Sequence, residues 1–346
     1  MQAVLPFGFL FLSLSLSIVL SVPFINFLYR INFKRAKQKT IDAFGRPTPI
    51  FDRFHGHKAG TPVGGGILVI FLVSLLYVLA FPLLNLLEIE LTYNHQNQSA
   101  EIYVILFTFL SFGVLGLYDD IKKFFGFKKT GFFGLKMPQK LTIQIILALI
   151  IACTLFFSLE ISILNIPFLG TFNLGWLYIP FATLVIVAFA NAVNITDGLD
   201  GLAGGSLLLS LLGLWIISFS ILDGPLAIFI ALFIGSLISF VYFNVFPARI
   251  FLGDVGALSF GATFAVIGLL LGKPIALIII GFIFVLEITS SFLQLLSKKI
   301  LKKKLLPVAP FHLYLQKKGW EEPKIVQRFW LMQIIFSLFG IWITLL

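Results

Sequence analysis

Charged residues are scarce in this sequence. Asp, Glu, Lys and Arg make up 12% of its 346 residues, hydrophobic residues make up 59%, and the mean hydropathy is +1.04. Soluble domains carry about a quarter charged residues, so the composition excludes a soluble protein and indicates an integral membrane protein. A membrane β-barrel would need ten-residue alternating segments, whereas this chain has long unbroken apolar runs. The membrane spans are therefore predicted to be helical.

Cysteine and histidine are also nearly missing. The single cysteine, Cys153, lies in an apolar run and excludes an internal disulfide. Four histidines at no ligand spacing disfavour a zinc site. Neither a Walker A sequence nor a Gly-x-Ser-x-Gly motif is present. The formal net charge of +10 indicates basic loops at a membrane surface rather than nucleic acid as a partner.

Ten apolar segments are long enough to cross a bilayer. The first, 4–28, is too long for a signal peptide and lacks a basic start, so we expect it to be a retained span. We expect an all-α, polytopic fold with a single transmembrane domain over 1–346 and a short hairpin near 161–173. The predicted spans are 4–28, 62–87, 102–118, 141–159, 175–193, 202–221, 225–246, 256–271, 275–296 and 329–346.

Basic residues are confined to one set of loops. Every lysine and arginine except Lys273 lies in 29–61, 119–140, 194–201, 247–255 or 297–328. The positive-inside rule places these five loops in the cytoplasm and both termini outside.

The stretch 191–205 is a polar island between two of the spans. It contains Asn191, Asn194, Asp197 and Asp200 together with several glycines. Acids at the edge of a hydrocarbon layer are costly and usually functional. The other basic loops also carry unusual polar groups: Lys58 before Ala-Gly-Thr-Pro, Asp119-Asp120 with Lys123 and Lys140, Asp254 after Phe251-Leu-Gly, and His312.

Acids surrounded by lysines suit magnesium–phosphate chemistry. Mg²⁺ usually takes one or two carboxylates plus phosphate oxygens, and Asp254 and Asp197 are the candidates. Lysines neutralise a diphosphate, and glycine-rich turns at helix N-termini present N–H groups to phosphate. Two structural alternatives stay open: Asp119-Asp120 as a solvated helix end, and Glu287 as a helix-to-helix hydrogen-bonding group.

The same motifs resemble those of the polyprenyl-phosphate N-acetylhexosamine-1-phosphate transferases. Lys123 stands where members acting on UDP-N-acetylglucosamine usually carry an acid, so the resemblance favours the branch that uses the muramoyl-pentapeptide. The chain departs from the family where three histidines are reduced to His312-Leu313-Tyr314. The matching motifs are His55-Gly-His57-Lys58-Ala-Gly-Thr-Pro, Asp119-Asp120-x-x-Lys123, Lys140-x-x-x-Gln144, 191–203, Phe251-Leu-Gly-Asp254-Val-Gly256 and Glu287-x-x-Ser290-x-x-x-Gln294.

The resemblance implies an Mg²⁺-dependent reaction at the cytoplasmic face of the inner membrane. Phospho-N-acetylmuramoyl-pentapeptide would pass from UDP-MurNAc-pentapeptide to undecaprenyl phosphate, giving lipid I and UMP. The partners would be these two substrates, the lipid bilayer and a second copy of the chain in a homodimer. The alternatives are a sister transferase that uses another UDP-N-acetylhexosamine and a non-catalytic nucleotide–lipid binding or transport protein.

The resemblance also implies roles for individual residues. Asp254 and Asp197 would hold the metal, and Phe251 would stack on uracil. A single displacement and a route through an aspartyl-phosphate on Asp197 or Asp119 both stay open. The catalytic residues would be Asp119, Asp120, Lys123 and Asp197, and the substrate-binding residues Lys58, Lys140, Asn194, Gly198, Leu199, Asp200, Phe251 and His312.

Overall fold

The fold is built almost entirely from helices. A computed structural model describes residues 4–34, 58–125, 135–221 and 223–346. The predicted histidines His55 and His57 lie outside these ranges. The helices within them are α1 Leu5–Arg30, α2 Gly65–Leu86, α3 Gln98–Phe125, α4 Met137–Phe157, α5 Tyr178–Thr196, α6 Leu202–Ser220, α7 Gly224–Asn244, α8 Gly253–Leu270, α9 Pro274–Ile280, α10 Phe282–Ile300, α11 Phe311–Lys317 and α12 Glu322–Leu345.

The helix lengths confirm an all-α polytopic membrane fold. In the described part of the chain, nine helices are long and apolar enough to cross a membrane, and α9 with α10 forms a tenth if counted as one span. The sequence predicts a single span over 275–296, but the chain bends there by 82°. A side chain at Gly281, where the bend occurs, would press against the Phe189 ring and the Leu277 carbonyl oxygen.

The predicted hairpin is confirmed as well. Strands β1 (Ile163–Ile166) and β2 (Gly170–Asn173) pair antiparallel, with Ile163 opposite Asn173 and Ile166 opposite Gly170.

The final helix begins earlier than predicted. The sequence predicts a last span over 329–346, whereas α12 starts at Glu322. Pro323 fits the first turn of a helix, where its missing N–H is not needed. The extra turns carry Glu322 into the protein interior, where it is buried.

Helices α7 and α8 form the centre of the bundle and are buried along nearly their whole length. Phe109 of α3 packs against Phe229 and Phe233 of α7, with ring centroids 5.4 and 5.1 Å apart. Phe260 of α8 closes the group at 4.8 Å from Phe233. Because lipid is as apolar as these rings, close packing rather than exclusion of water must hold the bundle together.

A seam of serines joins α1 to α7. Ser13 donates to the Leu232 carbonyl oxygen at 2.7 Å, and Ser17 and Ser236 are 3.1 Å apart. Ser21 contacts Ser239 at 3.0 Å. Small polar residues let helix backbones approach closely and bond across the contact, so this seam fixes the outer layer to the core.

Glycines set the approach of α2, α3 and α8 at one end of the bundle. A Cβ atom at Gly116 of α3 would overlap the Asp254 carbonyl at the start of α8, and a Cβ at Gly66 of α2 would overlap the Gly256 backbone. The three helices therefore meet backbone to backbone beside Asp119 and Asp254.

We expect Gly116→Ala to lower the thermal unfolding temperature of the detergent-solubilised protein. The new methyl group must push α3 from α8, and overpacking of this kind costs about 1–3 kcal/mol. Gly8→Ala in α1 is the matched control, because a Cβ there meets nothing within 4 Å. Equal melting temperatures for the two variants would contradict the close α3–α8 contact.

Candidate active site

Four charged side chains meet where α3, α4 and α8 converge, and we call them the carboxylate–lysine cluster. Asp254 Oδ2 accepts hydrogen bonds from Lys123 Nζ at 2.7 Å and from Lys140 Nζ. Asp119 Oδ2 lies 3.0 Å from Lys123 Nζ and 3.1 Å from Lys140 Nζ. Each lysine thus bridges the same two carboxylates, and the cluster is formally neutral.

The cluster is only partly accessible. The side chain of Lys123 is 31% exposed and those of Lys140 and Asp254 are 16% exposed, whereas Asp119 is buried. Partial burial strengthens these charge interactions relative to water. The two lysines remain reachable, so an anionic group could exchange with the carboxylates for their N–H donors.

Local sequence brings Asp119 and Lys123 together, since residues four apart share one face of a helix. The second Asp119 oxygen, Oδ1, accepts the Leu135 N–H at 2.6 Å and so fixes the start of α4 beside the end of α3. Lys140, in the first turns of α4, then reaches the same carboxylates.

Asp120 faces α8 rather than the lysines. Its Oδ2 accepts the Val255 N–H at 3.0 Å and so caps the helix that carries Asp254. The preceding Gly253 has φ +79°, and a Cβ there would lie 2.7 Å from the same oxygen. Position 253, at the start of α8, therefore requires glycine, and Asp120 fixes this helix start beside α3. Its predicted catalytic role stays a prediction.

Amides from α5 complete this side of the site. Asn194 Nδ2 donates to Asp254 Oδ1 at 3.2 Å, so both Asp254 oxygens are engaged. Asn191 Nδ2 donates to Gln144 Oε1 of α4 at 2.6 Å. The amides of the polar island thus bind α5 to its neighbours α8 and α4.

Asp197 ends α5 and differs from the other acids. No hydrogen bond or ion pair joins its carboxylate to any other residue that the structure describes. Burial raises the pKa of Asp197 well above its usual range, the nearby Asp254 charge raises it further, and Lys58 opposes both. An ionised Asp197 therefore favours a positive charge beside it.

A second group, which we call the buried triad, consists of Lys58, Asp200 and Glu322. Lys58 Nζ lies 2.6 Å from Asp200 Oδ1 and 2.6 Å from Glu322 Oε1. Glu322 Oε1 also accepts the Asp200 N–H at 2.5 Å, and Asp200 Oδ2 accepts the Ala248 N–H at 2.9 Å. The triad joins three loops and the start of α12.

Three of the predicted substrate-binding residues, Lys58, Leu199 and Asp200, make contacts inside the protein. Lys58 is only 4% exposed, and Leu199 is buried among apolar side chains such as Ile325. Lys58 and Asp200 make their contacts inside the protein, while their predicted substrate contacts stay predictions. Glu322 was missed by the site predictions, and the signal for it was an acidic pair, Glu321-Glu322, in an otherwise basic loop.

His312 is held by Glu287. The His312 Nδ1 atom lies 2.9 Å from Glu287 Oε2, and the His312 backbone N–H donates to Glu287 Oε1 at 3.0 Å. Since a carboxylate only accepts, Nδ1 carries the hydrogen and a neutral ring leaves Nε2 as an acceptor. That edge of the ring packs on Gly198, where a Cβ would lie 2.5 Å from Nε2. Glu287 is therefore the positioning partner of His312.

Phe251 lies between the two groups. Its carbonyl oxygen accepts the Gly64 and Gly65 N–H groups at 3.1 and 2.8 Å, and its own N–H donates to Pro62. Its ring centroid lies 5.9 Å from Lys58 Nζ. The five polar loops of the basic set thus meet at one end of the bundle, where they can bind an anionic, phosphate-bearing ligand.

Comparison with known proteins identifies the family to which this chain is similar. A sequence model of glycosyl transferase family 4 matches residues 102–272, which include the whole carboxylate–lysine cluster. The phospho-N-acetylmuramoyl-pentapeptide-transferase of Rickettsia canadensis is 37% identical over 95% of this chain and 91% of its own. Proteins of the same name from Rickettsia akari and Rickettsia bellii are 38% and 35% identical over 95% of this chain and 91% and 90% of theirs.

We expect Lys58→Met to destabilise the protein strongly, by about 3–5 kcal/mol, because it leaves two buried carboxylates without their cation. Glu322→Gln should cost much less, since the Lys58–Asp200 pair survives and a glutamine oxygen still accepts both hydrogen bonds. Thermal unfolding in detergent measures the difference. A Lys58→Met protein as stable as Glu322→Gln would show that Lys58 does not neutralise the triad.

Proposed function

This chain belongs to the phospho-N-acetylmuramoyl-pentapeptide transferases of glycosyl transferase family 4, and from that premise we propose the reaction that it catalyses. Phospho-N-acetylmuramoyl-pentapeptide passes from the UDP-linked precursor to undecaprenyl phosphate, giving lipid I and UMP for peptidoglycan synthesis. The carboxylate–lysine cluster is the observation that supports this proposal. It presents two partly accessible lysines and two acids where membrane helices end.

Charge is the main demand of such a reaction, because a diphosphate and a phosphate must approach each other. Lys123 and Lys140 are each held by carboxylates in the described arrangement. Both lysines can exchange a carboxylate for a phosphate oxygen, and Asp119 and Asp254 keep them in place until then. Positioning and charge neutralisation supply most of the catalysis in phosphoryl transfer.

The oxygen donors fit an Mg²⁺ ion. No hydrogen bond or ion pair engages the Asp197 carboxylate among the described residues, and the nearby Asp254 charge raises the pKa of Asp197. In the described ranges, no three Asp, Glu, His or Cys side chains form a closed metal cage. Mg²⁺ usually needs only one or two carboxylates, with phosphate oxygens and water completing its shell. Asp254 and Asp197 would hold the ion, which would neutralise charge on the diphosphate.

The acceptor can act without a strong base. The second pKa of a phosphate monoester is about 6, so an oxygen of undecaprenyl phosphate is already ionised at neutral pH. That oxygen attacks the phosphorus bonded to the sugar, and the bond from this phosphorus to the oxygen shared with UMP breaks. Asp119, paired with two lysines, orients the acceptor phosphate. UMP released without acceptor would instead indicate an aspartyl-phosphate on Asp119 or Asp197.

The remaining predicted substrate-binding residues would contact the nucleoside. Gly198 and the His312 ring, with Asn194 and Phe251, would surround the nucleoside, and the buried Leu199 and Asp200 would shape that wall from behind. The confinement of basic residues to this end supports a cytoplasmic site in the inner membrane. We also propose a homodimer.

We expect Asp254→Asn to reduce Mg²⁺-dependent UMP release by about 10²-fold or more, because it removes one of the two carboxylates that would hold the ion neutralising the diphosphate. The assay uses purified protein, undecaprenyl phosphate and UDP-MurNAc-pentapeptide, with chelation of the ion as a second arm. Asp223→Asn is the matched control, since Asp223 caps α7 in the loop between α6 and α7. Undiminished activity in Asp254→Asn would remove Asp254 from the metal site.

A panel of UDP sugars tests the substrate. We expect UMP release from UDP-MurNAc-pentapeptide and not from UDP-N-acetylglucosamine, because Lys123 replaces an acid of the sister enzymes. Release from UDP-N-acetylglucosamine alone would assign the chain to that branch. Tight binding of both substrates without any UMP would indicate a binding or transport protein.

A further inference from the structure

The hairpin formed by β1 and β2 has two chemically different faces. In its antiparallel register, Leu164 lies opposite Phe172 and Asn165 lies opposite Thr171. Opposed residues share a face, and residues two apart along a strand lie on the same side. The apolar face therefore consists of Leu164, Ile166 and Phe172, and the other face of Asn165, Thr171 and Asn173 with Ile163 at its end. A hairpin with this division suits a boundary between an apolar and an aqueous phase.

The turn of the hairpin and the segment after β2 expose large apolar side chains. Phe168 is 78% exposed and Leu169 is 71% exposed in the turn, and Trp176 and Leu177 are both 69% exposed just before α5. No charged residue occurs in the sequence from 161 to 196. Exposed apolar side chains that lie together, without charges among them, mark a contact with a membrane or with another protein.

The surface that carries Trp176 continues onto the membrane span α4. The Trp176 ring packs against Phe156 and Phe157 at the end of this helix, with ring centroids 5.2 and 5.4 Å apart. Phe157 is itself exposed, and α4 is exposed over most of its length, so lipid surrounds its outer side. Tryptophan is enriched where a span meets the lipid headgroups. The bilayer that covers α4 therefore reaches the hairpin as well.

The hairpin lies at the far end of the bundle from the carboxylate–lysine cluster. Helix α4 begins beside the cluster, where Lys140 lies in its first turns, and ends at Phe157 just before the hairpin. Its 21 residues rise about 31 Å along the helix axis. A hydrocarbon layer is about 30 Å thick, so the hairpin follows α4 at the level where hydrocarbon gives way to headgroups.

The hairpin backbone limits how deeply this segment can enter the bilayer. In the described part of the chain, β1 and β2 form a two-stranded sheet, so each strand has one edge without a strand partner. Unpaired N–H and C=O groups are not tolerated against hydrocarbon, whereas water and headgroups can bond them. The strands therefore belong in the headgroup region, and only the apolar side chains can reach the acyl chains.

We propose that the hairpin is an interfacial membrane anchor in the leaflet opposite the carboxylate–lysine cluster. Phe168, Leu169 and Trp176 enter the lipid, while Asn165 and Thr171 stay among headgroups and water. The continuity of this surface with lipid-covered α4 favours the bilayer over a second copy of the chain as its occupant. Because the hairpin joins α4 to α5, it holds at a fixed depth the far ends of the two helices that bring a lysine and an amide to the site.

Spin labels measure the depth of the hairpin directly, because the chain has a single cysteine to remove. In a Cys153→Ala background, Phe168→Cys carries the label at the turn, and Asn165→Cys is the matched control on the polar face. The labelled proteins are placed in phosphatidylcholine–phosphatidylglycerol vesicles. We expect the label at 168 to collide more often with oxygen than with a water-soluble nickel chelate, and the label at 165 to show the reverse.

Two results from the spin labels would overturn the anchor. One is a label at 168 that the nickel chelate reaches as readily as the label at 165, because the turn would then lie in water. The other is a label at 168 that neither reagent reaches and whose spectrum a second label broadens, because the turn would then contact another copy of the chain.

Trp176 gives a second readout with the turn unaltered. Lipids brominated near the headgroup should quench the fluorescence component that Trp176→Phe removes, and lipids brominated near the end of the acyl chain should quench it less. No quenching by either lipid, or stronger quenching from the chain end, would also overturn the anchor.

Discussion

Charge neutralisation among apolar helices is the constraint on which the rest of this structure depends. Asp119 and Asp254 lie together with Lys123 and Lys140 between them, and without these lysines the two acids would be unpaired charges, which are costly at low dielectric. Since the four side chains come from α3, α4 and α8, neutralising them also brings those helices together. The two lysines that neutralise the acids are also the groups that a phosphate would need for its own neutralisation.

Most polar groups around the carboxylate–lysine cluster are engaged by neighbouring helices and loops. Asp120 caps α8, Asn194 holds the other Asp254 oxygen, and the buried triad joins the loops behind them. Asp197 is the exception, because no hydrogen bond or ion pair engages its carboxylate in the described ranges. Burial also raises the pKa of Asp197. The metal proposal therefore centres on Asp197 and the neighbouring Asp254.

Much of the fold followed from composition and periodicity, because apolar length alone decides where a helix can cross a bilayer. The sequence also predicted which loops share one end, since basic residues mark one side. Partners were another matter. The spacing of Asp119 and Lys123 predicts their pairing. No local pattern pairs Glu287 with His312, 25 residues away, or Glu322 with Lys58, 264 residues away. The bend at Gly281 depends on packing against Phe189, and so it too lay beyond sequence patterns.

The serine seam between α1 and α7 has a consequence for how the bundle assembles. If α1 slipped by four residues, about 6 Å along its axis, Ser17 would reach the Leu232 carbonyl and Ser21 would reach Ser236. Most of the hydrogen bonding would survive, so the serines hold α1 against α7 without determining the register of the two helices. Gly235 sets how closely the two helices approach, because a side chain there would overlap the Leu10 carbonyl. Hydrogen bonding between the two helices and their close approach are therefore separate properties of this contact, supplied by different residues.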